Sequence, residues 1–129
     1  MIKAAFFDID GTLISFNTHL IPDSTINAIK ELRQQGIKIF IATGRPLSLI
    51  SLPKDIIIDG IITLNGAFCI SSDKKIIYKT SIPKEDINAI IRYQEETEHF
   101  PCQFTTQDNT AINFVNQQVI DLCKLINVI

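Results

Sequence analysis

The sequence predicts an α/β fold, a parallel sheet with flanking helices, and three observations predict it. Ala4 to Phe7, Ile37 to Ala42 and Gly60 to Leu64 are short apolar runs, which read as strands buried on both faces. A helix-spaced stripe, Ile26, Ile29 and Leu32, lies between the first two runs, and the joints are short. Strand, helix and strand in that order form a βαβ unit, with parallel strands and a right-handed crossover. The first run ends in Asp8-Ile9-Asp10-Gly11, two carboxylates and a glycine at the strand end where open α/β sheets bind ligands.

Composition sets the bounds. The chain has 129 residues, is 46% hydrophobic and carries a formal charge of −2, which suits one globular domain. No basic block suggests a nucleic-acid or membrane-surface partner. No stretch approaches a membrane span, and Asp8 interrupts the first apolar run too early for a signal peptide. Cys69, Cys102 and Cys123 are spread out and lack metal-ligand spacing, so they read as thiols of a reducing cytoplasm. His19 and His99 are isolated.

Along the chain, each element has its own signal. Leu13 to Ile21 has no helical period and reads as a loop or small hairpin over the acids. Asp23 or Ser24 caps the first helix, and Gly36 closes it as a C′ glycine. Thr43-Gly44-Arg45-Pro46 ends the second strand, and Pro46 opens a short helix to about Leu52. Residues 53–59 form a loop, and Asn65-Gly66 stops the third strand. Ala67 to Ser71 and Lys75 to Lys79 flank a hairpin turn. From Pro83 the order becomes αββα. A helix to about Glu98 carries Ile87, Ile90 and Ile91 as core, and Gln107 to Thr110 turns a second hairpin. Asn116 to about Val128 is the last helix.

Asp8 and Asp10, two apart in an extended chain, leave the same side of the backbone. Such a pair needs a cation, a proton or a phosphate. A hard cation such as Mg²⁺ prefers oxygen ligands. One carboxylate can then attack phosphorus while the other handles the leaving oxygen's proton. Thr43 adds a hydroxyl, Gly44 an approachable N–H, and the helix after Pro46 its positive end.

These residues resemble a known family. Asp8-Ile9-Asp10-Gly11-Thr12-Leu13 is similar to motif I, DxDGT, of the haloacid dehalogenase (HAD) superfamily. Thr43-Gly44-Arg45 resembles motif II in its Cof-like branch, and Asn65-Gly66-Ala67 that branch's NGA element. The resemblance implies a partial Rossmann-like core over residues 1–82 and the beginning of a type II α/β cap over 83–129. It implies Asp8 as nucleophile and Asp10 as acid/base, both at a Mg²⁺ site. Thr43 would hold the phosphoryl group, beside the approachable Gly44 N–H as a phosphate contact, and Gly11 and Thr12 would shape the loop. Arg45 is equally an ion-pair residue and a substrate contact, and Asn65-Gly66 is first a turn pair.

The family's later lysine, acidic pair and core strands have no counterpart in these residues. The expectation is therefore a truncated chain whose first strand presents an open edge that invites self-association. Two functions are compatible with that expectation. One is a Mg²⁺-dependent phosphatase of small phosphorylated metabolites. The other is an impaired or inactive fragment that keeps the fold and weak phosphate and Mg²⁺ binding. A receiver-like signalling domain is disfavoured, because Asn65 stands where its phospho-acceptor aspartate belongs.

Overall fold

The computed structural model describes residues 1–106 and 109–127. Five strands form one sheet in the order β1 (Ala4–Phe7), β2 (Lys38–Ala42), β3 (Gly60–Thr63), β4 (Phe68–Ser71) and β5 (Ile76–Lys79). The first three are parallel, and β4 and β5 are antiparallel additions. Helix α1 (Asp23–Gln34) makes the βαβ crossover. A second segment holds α2 (Lys84–Glu96), the antiparallel pair β6 (Gln103–Thr105) and β7 (Thr110–Ile112), and α3 (Gln117–Leu125). The predicted turn residues Gln107 and Asp108, and Val128 in the predicted last helix, lie outside the described residues. No helix among the described residues is long and apolar enough to cross a membrane.

Parallel register sets the position of the site. Phe7 pairs with Ile41, and Ala42 pairs with Ile62, so the chain leaves β1, β2 and β3 along one rim. Ile9, Leu13, Ile29, Ile39, Ile41 and Ile56 form the core cluster beneath it. Burying a side chain of this kind stabilises by about 1.5–3 kcal/mol. Helix α1 ends in a Schellman motif. The Ile37 N–H donates to the Leu32 carbonyl and the Gly36 N–H to that of Arg33, with Gly36 at φ +79° as expected.

Asp59 binds three elements together. Its Oδ2 accepts from Arg33 Nη1 at 2.6 Å and from the Ile39 N–H at 2.9 Å. Its backbone carbonyl accepts from the Ser72 N–H at 3.0 Å. Gly60 beside it has no room for a side chain, because a Cβ there would lie 2.8 Å from the Ile70 carbonyl oxygen.

Four expectations change. Strand β1 is not buried on both faces. It is a sheet edge, and Phe6 is 57% exposed with only the Phe40 ring stacked on it, centroids 4.9 Å apart. Helix α1 is preceded by Pro22 in extended conformation, so Asp23 sits in the first turn, where its charge suits the helix dipole. The helix expected after Pro46 is one 3₁₀ turn, Leu47–Leu49. Pro53 disfavours helical backbone at Leu52, which leaves too few residues to nucleate a helix. The isoleucine stripe of α2 is not core: Ile90 and Ile91 are 42% and 38% exposed, and Ile87 is only half-buried.

Candidate active site

A cavity of about 850 Å³ opens between the sheet's carboxyl rim and the segment carrying β6, β7 and α3. Six of the sequence-predicted residues line it: Asp8, Asp10, Thr43, Gly44, Arg45 and Asn65. Gly11 and Thr12 do not. They border a separate recess of about 330 Å³ with Leu13 and Phe16. The reason is local. Gly11 adopts φ +77°, and the Leu13 N–H turns back to the Asp8 carbonyl while the Ile14 N–H reaches that of Ile9. The loop therefore folds over the strand end and buries Leu13. Any Cβ on Gly11 would also meet the Phe16 ring at 2.8 Å.

The two carboxylates sit in unlike surroundings. Among the described residues the Asp8 carboxylate, exposed at the end of β1, has no hydrogen-bond or ion-pair partner. Asp10 is gripped at both oxygens by Arg45, with Nε to Oδ2 at 2.8 Å and Nη2 to Oδ1 at 2.6 Å. This is the fork-to-carboxylate geometry that arginine favours. Arg45 also donates to the Leu49 carbonyl at 3.1 Å and to the Ile126 carbonyl, just past α3, at 2.7 Å. Hydrogen bonding to Asp10 raises the Arg45 pKa above its ordinary value. Burial works against that rise, and the charges of Asp10 and Asp8 add to it. The positive charge expected from a helix end is therefore supplied by a side chain.

Two loops brace the floor. Thr43 is buried, and its Oγ1 accepts from the Arg45 N–H at 3.1 Å. The Asn65 N–H donates to the Thr43 carbonyl and the Leu64 N–H to that of Arg45. Leu64, Asn65 and Gly66 all have positive φ, at 51°, 54° and 95°. The turn expected at Asn65-Gly66 thus extends back to a leucine, a conformation that costs about 1–2 kcal/mol outside glycine. It brings the Asn65 amide over Gly44, where a Cβ would lie 3.0 Å from Asn65 Oδ1.

The sequence reading did not anticipate that α3 forms the opposite wall. The signal was present as Val119, Leu122, Cys123 and Ile126, spaced i, i+3, i+4, i+7 on one helical face. The donor set on the floor consists of oxygens. No group of three or more His, Cys, Asp or Glu residues able to hold a metal occurs among the described residues.

Comparison with known proteins agrees with this geometry. The profile of haloacid dehalogenase-like hydrolases matches residues 5–123. A Bacillus subtilis (strain 168) protein provisionally named phosphatase YkrA is 35% identical over 107 residues, covering 82% of this chain and 40% of its own length. The HMP-PP phosphatase of Klebsiella pneumoniae (strain 342) is 31% identical over 100 residues, 76% of this chain and 36% of that protein. The solved structure of BT4131, a HAD subclass IIB sugar phosphatase, superposes with a TM-score of 0.84 at 44% identity, covering 93% of this chain and 47% of its own. The chain spans less than half the length of each of these three. A family profile that runs from β1 into α3, over a parallel sheet whose rim carries the DxDGT acids, places the chain in the haloacid dehalogenase-like hydrolase family.

Proposed function

We propose that this rim is the phosphoryl-transfer site of a phosphatase acting on small phosphorylated metabolites in the cytoplasm. Residues 1–82 are its core and residues 83–129 the opening of its cap. The observation that carries the reading is the inequality of the two acids. Asp8 is free to react, and Asp10 is held by Arg45.

In the first step an Asp8 carboxylate oxygen bonds to phosphorus and the ester P–O bond breaks. Asp10, once released from the Arg45 fork and protonated from solvent, gives that proton to the departing alkoxide. In the second step water attacks the aspartyl-phosphate, Asp10 takes the water's proton, and inorganic phosphate leaves Asp8. Each proton transfer of this kind contributes about 10²–10⁴-fold. Thr43, Gly44 and Asn65 would bind the phosphoryl oxygens, and Gly11 and Thr12 would shape the loop beneath them. A phosphate entering the site competes for the Arg45 fork, which suits phosphate as well as carboxylate. That competition releases Asp10 for proton transfer.

The oxygen donors fit Mg²⁺. The Asp8 carboxylate and the Asp10 carbonyl would hold it, with water completing the shell. Bound there, it would offset repulsion between Asp8 and the incoming phosphate. The open edge of β1 supports pairing with a further strand.

The test is release of p-nitrophenol from p-nitrophenyl phosphate, with Mg²⁺, by this chain and by Asp8→Asn. The expected loss is about 10³-fold or more, as for removal of a nucleophile. Equal rates from the two proteins would overturn catalysis by these residues and favour an inert fold.

A further inference from the structure

The cavity has two chemically unlike ends. Its floor is polar and charged, with Arg45 and the Asp8 and Asp10 carboxylates. Its wall is not. Pro101, Ile112, Val119, Leu122, Cys123 and Ile126 line that side, and among the described residues no Asp, Glu, Lys, Arg or His accompanies them. The one amide on the wall, Gln103, already donates to the Thr105 hydroxyl at 3.1 Å. The α3 stripe is incompletely covered: no α3 residue is fully buried, Val119, Cys123 and Ile126 are half-buried, and Leu122 is 56% exposed. The wall is also fixed with respect to the floor, because Arg45 binds Asp10 and the Ile126 carbonyl through the same nitrogen, Nη2.

From this juxtaposition we infer that the site takes phosphate monoesters of apolar alcohols, alkyl or aryl, in preference to phosphates of polyhydroxylated sugars. The inference rests on the phosphate-site reading above and adds the identity of the leaving group's body. A hydroxyl-rich body entering this space gives up water and, with Asn65 at the phosphate end, finds Gln103 as the one amide along the described wall. Unmade hydrogen bonds on burial are costly. A second anionic group meets no cation among the described residues of the wall. An apolar ring or chain covers the α3 stripe and gains from its own removal from water. Cavities of this size are ordinary for small-molecule ligands.

The test is equilibrium binding by titration calorimetry, with three probes that are not turned over. These are phenylphosphonate, the methylene phosphonate analogue of glucose 6-phosphate, and inorganic phosphate. Phenylphosphonate is expected to bind about tenfold or more tightly than either of the others, a difference of about 1.4 kcal/mol. Leu122→Asp should remove that preference and leave phosphate affinity in place, and Leu122→Ser should reduce it. Leu122 is exposed, so both variants should keep the fold. Equal or tighter binding of the glucose analogue, a preference untouched by both variants, or no binding of any probe would overturn the inference. Phenylphosphonate preference without Asp8-dependent turnover would sink the phosphatase reading alone. Asp8-dependent turnover of p-nitrophenyl phosphate together with tighter binding of the glucose analogue would sink this inference alone.

Discussion

Residues 4–71 and residues 84–127 are held together by different means. The first region buries Ile9, Leu13, Ile29, Ile39, Ile41, Ile56, Phe68 and Ile70. Beyond Ile70 the one buried side chain among the described residues is polar, Gln94. Gln94 Nε2 donates to the Phe100 carbonyl and to Cys102 Sγ. Asn113 Nδ2 donates to Gln94 Oε1 at 3.3 Å, and Asn113 Oδ1 accepts from the Cys102 N–H at 2.8 Å. The apolar residues of α2 and α3 remain largely open. A sheet with a crossover helix makes its own core, whereas two short strands and two helices fix their mutual geometry by hydrogen bonds. The two acids, Thr43 and Arg45 stand on the first region, at the ends of strands that its core holds in place. The apolar wall of the cavity stands on the second, which leaves Leu122 of that wall exposed.

Three substitutions put that contrast to the test. The largest effect is expected from Ile39→Ala, which empties a fully buried position in β2. It should cost about 2–5 kcal/mol of global stability, read by denaturant unfolding. A cost below about 1 kcal/mol would mean that the first region has no close-packed core.

Next is Asp59→Ala. It removes charge-assisted hydrogen bonds to Arg33 and Ile39 and should cost about 1.5–3 kcal/mol at neutral pH. The Ile39 N–H holds the Asp59 carboxyl below its usual range, against some opposition from burial, and Arg33 and Lys38 lower it further. Because the folded pKa is depressed, this contribution is complete above the unfolded value of about 3.9. It is lost as pH falls through the lower folded value. The stability gap between wild type and Asp59→Ala should therefore close under acid and stay flat above about pH 5. A gap that widened in acid would refute the assignment.

The smallest effect is expected from Gln94→Ala, about 1 kcal/mol. Its signature is location. Hydrogen exchange should speed up in α2, β6 and β7 and stay unchanged in β2, as for a region that opens on its own. Uniform loss of protection would show that the two regions unfold as one.

Much of the fold was legible because it depends on neighbouring residues. Gly36 ends α1 because a left-handed C′ position favours glycine, and apolar runs mark β2 and β3, with Ile39 and Ile41 buried and Phe40 and Ala42 on the alternate face of β2 half-buried. Asp8, Asp10, Thr43 and Asn65 were found through local motifs at strand ends, and the sheet brings all four to one cavity. The errors arose where the outcome depends on distant partners. The Ile87, Ile90 and Ile91 stripe looks like core in any helix, and whether it is covered is decided elsewhere in the chain. Pro46 is compatible with a helix start, yet Pro53 leaves room for only a single 3₁₀ turn.

The sequence by itself determined the α/β class, the order of elements and the chemical types gathered at the strand ends, because periodicity, turn residues and short motifs are local properties. Tertiary structure alone decided that Arg45 grips Asp10 and leaves Asp8 free, that Gly11 and Thr12 face another recess, and that α3 closes the cavity with an apolar wall. Asp10 and Arg45 are 35 positions apart, and Arg45 and Ile126 are 81 apart. No local pattern records such pairings. They arise when parallel register brings the loops after β1, β2 and β3 to one rim and the chain returns across it.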